Sequence, residues 1–282
     1  GVQTCALPIS RIVPRTAGIS IFIISFLTLM TIGPVEFNSP YILISYVCFF
    51  AIGVYDDIKH VKANTKFWGQ FIISVALAIL LPNFRINNFY GVLGLYSINV
   101  IPSVLFTSFV FIVVINAYNL IDGVDGLAAT FAIFAFMMLG SAFQYTHPHI
   151  FIFCILLSVI LMPFYFFNFS KTRKMFLGDT GALFLGLTIV LLVGFLLNSN
   201  NAVSTPFNMN RALFALVSLC YPLLDTLRVF TLRLAKGQSP FIADRRHLHH
   251  KLLEFGLNHF ATDRKSTRLN SSHEWISRMP SS

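Results

Sequence analysis

Acidic side chains with neighbouring lysines occur in the first of several short polar segments between apolar runs. Asp56 and Asp57 are adjacent, and Lys59 and Lys66 follow them. Two neighbouring carboxylates repel each other, so a bound cation or nearby lysines must stabilise them. Oxygen ligands at this density suit Mg²⁺ or Mn²⁺. A solvated loop end often carries such a pair too, so the pair indicates a cation site without establishing one.

A second segment repeats oxygen-bearing side chains at every third position: Asn116, Asn119, Asp122 and Asp125. In an α-helix, a step of three residues turns a side chain by about 60° from its predecessor, so the four would follow one slowly turning face. Polar groups at the end of an apolar helix are costly without partners. The spacing therefore predicts a ligand-binding face.

The third segment, residues 176–181, reads Phe-Leu-Gly-Asp-Thr-Gly and leads into an apolar run. Asp179 and Thr180 could cap the following helix, or could place a carboxylate and free amides beside a phosphate or a metal. Both interpretations stay open. The basic residues just before it either attract phosphate or reflect membrane topology; they are Lys171, Arg173 and Lys174.

A fourth segment, from Asp244 to His250, combines arginine with histidines. Three histidines could bind zinc, but no cysteine or suitable carboxylate completes a ligand set. Beside two arginines, the segment is more typical of a phosphate-binding group. The candidate residues here are Arg245, His247, His249 and His250.

The composition restricts the elements that can position these segments. Of 282 residues, 56% are hydrophobic and 11% are charged, whereas soluble domains have about 25% charged residues. That excludes a soluble cytosolic enzyme, a nucleic-acid binder and a disordered chain. The net charge of +9 points to membrane topology. The scattered cysteines have no zinc-ligand spacing, so we expect small buried hydrophobic residues.

Eight apolar runs predict an all-α, polytopic membrane helix bundle with about eight transmembrane helices. The runs lie near residues 17–33, 41–55, 67–81, 100–115, 127–143, 150–169, 181–197 and 212–230. Up to residue 262, alternate polar segments hold fourteen basic residues on one side and only Arg85 and Arg211 on the other. This bias predicts that the first side is cytoplasmic. Every carboxylate of the body except Glu36 belongs to that side.

The two ends depart from this pattern. Residues 1–10 and 263–282 are out of register with what lies beside them, and we expect both to be foreign sequence. Residues 11–262 then form the membrane-embedded domain. We expect the chain to be a fragment that lacks membrane helices at one or both ends.

In this order, the four motifs resemble those of the polyprenyl-phosphate N-acetylhexosamine-1-phosphate transferases, relatives of phospho-MurNAc-pentapeptide transferase. The resemblance covers residues 11 to 259. It includes Pro14-Arg15-Thr16-Ala17-Gly18, which is similar to the family's Pro-Arg-x-Gly-Gly, with Ala17 in place of a glycine. The resemblance implies a multi-pass protein of the bacterial plasma membrane, with its active site on the cytoplasmic face and no nucleic-acid partner.

The resemblance also implies a reaction and a cofactor. A lipid phosphate, undecaprenyl phosphate, takes N-acetylhexosamine-1-phosphate from a UDP-sugar, UMP leaves, and Mg²⁺ or Mn²⁺ is required. By motif, Asp179 and Asn119 would hold the metal, Asp56 and Asp57 would face the lipid phosphate near Lys66, and Asp122 and Asp125 would line the nucleotide site. Substrate would also contact Lys59, Asn116, Phe176, Arg245, His247, His249 and His250. A homodimer is left open.

Chemistry limits one of these roles. The second pKa of a phosphate monoester is about 6, so the lipid phosphate is already mostly a dianion at neutral pH. Proton removal by Asp56 would then give little rate gain, and we expect Asp56 and Asp57 to act by positioning and electrostatics.

The substrate branch and two other function classes stay open. Leu248 interrupts the three-histidine run of the peptidoglycan branch, which favours UDP-GlcNAc and the start of O-antigen, teichoic acid or similar glycans; phospho-MurNAc-pentapeptide transfer is the alternative. A secondary transporter would place charges near the bilayer midplane, but here they lie at one surface. Only Asp225 lies inside a span, near its inner end, where an ion pair with Arg228 explains it. A membrane scaffold would not need acids in three loops.

Overall fold

The computed structural model describes residues 17–59, 61–123, 125–170, 173–198, 200–201 and 203–235. Within these ranges it contains nine α-helices. They are α1 (Ala17–Ile32), α2 (Pro40–Lys59), α3 (Ala63–Leu80), α4 (Val100–Ile121), α5 (Leu127–Phe143), α6 (Pro148–Asn168), α7 (Gly178–Leu197), α8 (Arg211–Ser218) and α9 (Cys220–Leu234). The predicted polytopic all-α class is confirmed. The proposed ends, residues 1–10 and 263–282, lie outside the described residues.

The count of eight membrane spans is not confirmed. By length and composition, α2, α4, α6 and α7 qualify as spans, and α8 with α9 makes a fifth if the bent pair is one span. Helices α1, α3 and α5 are also apolar, but their apolar helical segments have only 10–17 residues, which is too short for them to count as spans. Helices α2, α3 and α4 extend beyond the predicted apolar runs because their ends include the polar residues of the first two motifs.

The last predicted span, residues 212–230, is two helices that meet at an angle of 71°. Pro222 explains the break. A proline inside a helix lacks the N–H that would bond to the carbonyl group four residues earlier, and its ring clashes with that group. For Pro222 that residue is Ser218, where α8 ends.

Helix α7 lies at the centre of the bundle, packed against α1, α2, α4, α5 and α8. Each of its residues except Asp179 is buried. Close approach needs glycine: a Cβ atom on Gly18 of α1 would lie 2.2 Å from the carbonyl oxygen of Leu177, just before α7. The carboxylate that the sequence marked as a metal ligand therefore extends from the most enclosed helix.

The motif residues meet at one end of the bundle because consecutive helices run in opposite directions. The C-termini of α2 and α4 and the N-termini of α3 and α7 lie together there, as the contacts below show. The cysteines follow the expectation in part: Cys154 is buried and Cys48 half-buried, but Cys220 is exposed.

Candidate active site

The ammonium group of Lys66 is the centre of the polar cluster. Its Nζ lies 2.8 Å from Asp56 Oδ2 and 3.1 Å from Asp179 Oδ1. The Lys66 and Asp56 side chains are each only 11% exposed. Helices α2, α3 and α7 thus place two carboxylates against one positive charge, away from most of the solvent.

Asn119, near the C-terminus of α4, completes this cluster. With its amide oxygen turned toward Lys66, that oxygen accepts a hydrogen bond from Nζ at 3.2 Å, and the amide nitrogen donates to Asp179 Oδ1 at 2.5 Å. Four helices therefore contribute one side chain each. We call Asp56, Lys66, Asn119 and Asp179 the charged cluster.

The second oxygen of Asp56 has a structural partner. The backbone N–H of Val61 donates to Asp56 Oδ1 at 2.6 Å, which ties the segment between α2 and α3 to the end of α2. Asp56 therefore fixes the start of the helix from which Lys66 extends, as well as contacting its ammonium group.

Asp57 faces α7 and not the charged cluster's ammonium group. Its carboxylate accepts hydrogen bonds from the backbone N–H groups of Asp179 at 3.0 Å and Thr180 at 3.1 Å, and from the Thr180 hydroxyl at 2.7 Å. One turn earlier, a Cβ on Gly53 would lie 2.5 Å from the Cα of Thr180. Helix α2 thus caps the N-terminus of α7 from outside.

The capping of α7 by Asp57 corrects one expectation from the sequence and bears on a second. The sequence suggested that Asp179 and Thr180 could cap their own helix, but the capping oxygens belong to Asp57, and Leu177 at the N-cap position provides no side-chain bond. The expectation that Asp57 faces the lipid phosphate stays a prediction; in the structure its oxygens accept three protein hydrogen bonds.

The predicted helical face of the second motif is only half formed. Helix α4 ends at Ile121, so Asn116 and Asn119 are helical, whereas Asp122 is the C-terminal cap and Asp125 lies in the following turn. Asp122 is half-buried with partners of its own. The glycines on either side of Asp125 favour this turn over continued helix.

Asp125 is held by the segment that precedes α7. Lys174 Nζ lies 2.5 Å from Asp125 Oδ2, and the same ammonium group sits 5.2 Å from the centre of the Phe176 ring. Asp125, Lys174 and Phe176 therefore form a second group, which we call the aromatic group. The group consists of a carboxylate, an ammonium group and a half-buried aromatic ring near the start of α7.

Asn116 lies one turn inward from Asn119 and contacts protein groups. Its Nδ2 donates to Gln70 Oε1 at 2.8 Å and to the Ile112 carbonyl group at 2.9 Å. Gln70 is fully buried, four residues after Lys66. The pair joins α3 to α4 directly behind the charged cluster, so the predicted substrate contact of Asn116 stays a prediction.

Other predicted residues lie apart from these groups or outside the described residues. Lys59 is exposed at the end of α2, with its ammonium group 5.4 Å from the Tyr55 ring centre. The fourth motif falls outside the described part of the chain: Arg245, His247, His249 and His250.

Gln70 is not among the residues predicted from the sequence, and the partners of Thr180 and Lys174 were not predicted either. One signal could have found Gln70: Lys66, Gln70 and Ser74 recur every fourth residue on an otherwise apolar helix, the spacing of one helix face. No local signal could have found the partner of Thr180, because Asp57 is 123 residues away along the chain.

The donor chemistry of the charged cluster fits a hard divalent cation. Two carboxylates and an amide oxygen converge on a group that is already positive. Among the residues that the structure describes, no three His, Cys, Asp or Glu side chains gather as a candidate metal site. Magnesium sites that also bind phosphates commonly use only one or two carboxylates, so Asp179, Asn119 and Asp56 suffice for that kind of site.

Known proteins are similar to this chain over most of its length. The chain is 26% identical over 254 residues to an undecaprenyl-phosphate alpha-N-acetylglucosaminyl 1-phosphate transferase of Escherichia coli O157:H7, a match that covers 87% of this chain and 66% of that relative. It is 29% identical over 279 residues to a decaprenyl-phosphate N-acetylglucosaminephosphotransferase of Mycobacterium leprae, covering 87% of this chain and 68% of the relative.

The chain thus spans about two thirds of the length of these relatives. A family description, glycosyl transferase family 4, matches residues 39–196. That range is more than half of the chain, and it contains the charged cluster and the aromatic group. The chain belongs to glycosyl transferase family 4.

Proposed function

We propose that the protein transfers N-acetylglucosamine-1-phosphate from UDP-GlcNAc to undecaprenyl phosphate at the cytoplasmic face of the bacterial plasma membrane. The observation that supports this most strongly is the charged cluster, in which four helices within the family region bring carboxylates, an amide and an ammonium group together at one end of the bundle. Such a site suits the joining of two phosphorylated substrates.

The proposed reaction exchanges one phosphoanhydride bond for another. An oxygen of the lipid phosphate attacks the phosphorus that carries the sugar. A new P–O–P bond forms between lipid and sugar phosphate, the P–O bond to UMP breaks, and UMP leaves with the electron pair. Because the lipid phosphate is mostly a dianion at neutral pH, no base is needed to create the nucleophile.

The main barrier that remains is electrostatic. A dianion must approach a diphosphate that is itself negatively charged, so neutralisation and alignment should dominate the rate enhancement. Lys66 supplies a positive charge and a point of attachment for phosphate oxygens. Asp56 orients Lys66, and Asp57 fixes the helix turn that carries Asp179.

A divalent cation, Mg²⁺ or Mn²⁺, would be held by Asp179 and Asn119, with Asp56 beside them. When bound, it would neutralise diphosphate charge and polarise the phosphorus centre. The protein's own contribution is to place these oxygens on the enclosed helix α7 and its neighbour α4, which limits their movement.

The aromatic group suits the nucleotide half of the donor. The Phe176 ring is half-buried and offers a face for the uracil base, while Asp125 can accept hydrogen bonds from a ribose or base. Lys174 now pairs with Asp125 and could turn to the diphosphate. This assignment places the nucleotide over the N-terminal end of α7.

The proposed membrane side rests on charge distribution. The polar segments on the site's side hold fourteen basic residues up to position 262, and the opposite segments hold two. That bias is typical of a cytoplasmic face, where UDP-sugars are made.

The test is UMP release by the purified chain in lipid vesicles that contain undecaprenyl phosphate. We expect UMP and a lipid-linked GlcNAc diphosphate from UDP-GlcNAc, loss of both with EDTA, and recovery with Mg²⁺ or Mn²⁺. Asp179→Asn is the matched inactive control. A donor panel decides the branch: faster turnover of UDP-MurNAc-pentapeptide would assign the peptidoglycan reaction, and no UMP from any donor would contradict the proposal.

A further inference from the structure

We propose that the Lys66 ammonium group and the divalent cation compete for one set of oxygens, so that the cation enters only together with the nucleotide diphosphate that draws Lys66 away. The nucleotide in this inference rests on the proposed function. The competition itself rests on the geometry of the charged cluster.

The hydrogen-bonding capacity of Lys66 is filled within the protein. An ammonium group has three N–H donors and no acceptor. Two carboxylate oxygens lie close to Nζ, Asp56 Oδ2 at 2.8 Å and Asp179 Oδ1 at 3.1 Å. With the Asn119 amide turned as described above, its Oδ1 is the third, at 3.2 Å. To bind a phosphate oxygen, Lys66 must therefore release at least one of these partners.

The same three oxygens are the donors that suit a hard divalent cation. A cation bound to Asp179 and Asn119 would lie within a few ångströms of Nζ, since both side chains contact Nζ directly. Like charges this close repel each other, and the repulsion is twice as strong for a divalent ion as for a monovalent one. Simultaneous occupation is therefore unfavourable.

Charge balance gives the order of events. With both acids ionised, two carboxylates and one ammonium group give the charged cluster a net charge of −1. A divalent cation beside Lys66 would make it +1 in a largely enclosed site. A nucleotide diphosphate restores negative charge, offers Lys66 new acceptors and bridges to the cation, so all three can be present together.

Lys66 is placed to make this change. It extends from the first turn of α3, at the end of the bundle where the substrates would enter. Lysine is a point charge on a flexible four-carbon stem, so its ammonium group can move several ångströms without any movement of the helix. The backbone contacts of Asp56 and Asp57 would stay in place.

The experiment measures Mn²⁺ binding by electron paramagnetic resonance, with the purified chain and no nucleotide. Lys66→Met should bind Mn²⁺ at least about tenfold more tightly than the unsubstituted chain, because the competing charge is gone. Lys62→Met is the matched control: it removes the same charge one turn earlier on an exposed residue, and should change the affinity less than about twofold. Lys66→Gln is a second variant, expected to behave like Lys66→Met.

Added UDP gives the second measurement. It should raise the Mn²⁺ affinity of the unsubstituted chain by more than it raises that of Lys66→Met or Lys66→Gln. Unchanged or weaker Mn²⁺ binding in both Lys66 variants would overturn the proposal, as would an equal gain in Lys62→Met. These outcomes do not depend on sugar transfer: tighter Mn²⁺ binding without any UMP release would uphold the competition and reject the proposed function.

Discussion

The two ends of the helix bundle use polar groups in different ways. At the charged cluster, side chains from four helices bond mainly to one another. At the opposite end, Arg211 donates to the carbonyl groups of Asn201, at 2.9 Å, and Val203, and to the Tyr90 hydroxyl at 2.8 Å. Asn198 donates to the carbonyl groups of Pro82 and Arg85.

The difference indicates that the Arg211 end of the bundle stabilises the fold, whereas the charged cluster serves the chemistry. Backbone carbonyl groups are fixed by the course of the chain. The hydrogen bonds of Arg211 and Asn198 therefore hold the segments at residues 82–99 and 198–211 together. The charged cluster instead places two like charges around one ammonium group, an arrangement that is costly when empty and useful when phosphates arrive. Functional sites commonly sacrifice stability in this way.

The largest expected effect is on activity at the charged cluster. Asp179→Asn should lower the rate of UMP release by at least about a hundredfold, because it removes a carboxylate that would hold the divalent cation, and with it the charge neutralisation that the cation would supply to the reacting phosphates. The apparent Tm should stay the same or rise, since one of two neighbouring carboxylates is lost. Asp125→Asn, assayed beside it, should keep more activity. Equal rates of UMP release for Asp179→Asn and the unsubstituted chain would contradict the assignment of chemistry to the charged cluster.

The next effect is on stability at the opposite end. Arg211→Met should destabilise the fold by about 3 kcal/mol, because it leaves part-buried carbonyl groups without donors. Thermal unfolding in detergent measures the change. UMP release at a temperature well below unfolding should be within about twofold of the original, and a large loss there would show that the two ends are coupled.

A smaller effect joins both roles at Asp57. Asp57→Ala should cost about 1–2 kcal/mol, as expected for loss of a helix cap, and should raise the Mg²⁺ concentration needed for half-maximal rate because the Asp179 turn loosens. Thr180→Val removes only one of the three donors and should cause a weaker defect of the same kind.

The double variant of Asp57 and Thr180 tests whether Asp57 acts through α7. Residues in one hydrogen-bond network show coupling of at least about 0.5 kcal/mol. Strict additivity, together with an unchanged Mg²⁺ requirement in Thr180→Val, would instead favour a direct contact between Asp57 and substrate.

The smallest effect on stability is expected at the aromatic group. The side chains of Lys174 and Asp125 are 25% and 38% exposed, and a solvent-screened pair contributes at most about 1 kcal/mol. Lys174→Met should therefore leave Tm nearly unchanged but raise KM for the UDP-sugar. An unchanged KM would remove this group from the nucleotide site, and Arg173→Met controls for loss of charge in the same exposed segment.

Periodicity and composition predicted the elements better than their contacts. Seven of the eight apolar runs each located one helix of the described residues to within several residues, and the last run covered both α8 and α9. Burial in lipid or protein requires continuous apolar sequence, which is why the runs are informative. They missed the break after Ser218, where Pro222 overrides a continuous apolar run. They also set α2, α3 and α4 too short, because the polar residues at the C-terminal ends of α2 and α4 and at the N-terminal end of α3 have tertiary partners.

The candidate site shows the same limit at the level of single residues. Residue type, spacing and the family resemblance marked Asp56, Lys66, Asn119 and Asp179, and the structure brings these four together. Because Asp56 and Asp57 are adjacent in the sequence, they were expected to share one role. Successive helical positions point about 100° apart, so the two side chains face different partners. Nor could spacing show that Asp125 leaves the helical face, since that depends on where α4 ends and on the distant Lys174.

The enclosure of α7 has a consequence for how the protein responds to its bilayer. A helix that faces lipid adjusts to bilayer thickness by tilting, at a modest cost for each ångström of mismatch. Helix α7 has other helices on all its buried faces, so thickness changes act first on its neighbours. The turn that carries Asp179 is capped by α2 and does not depend on a lipid contact. Membranes of different acyl-chain length should therefore leave the spacing of the charged cluster largely unaltered.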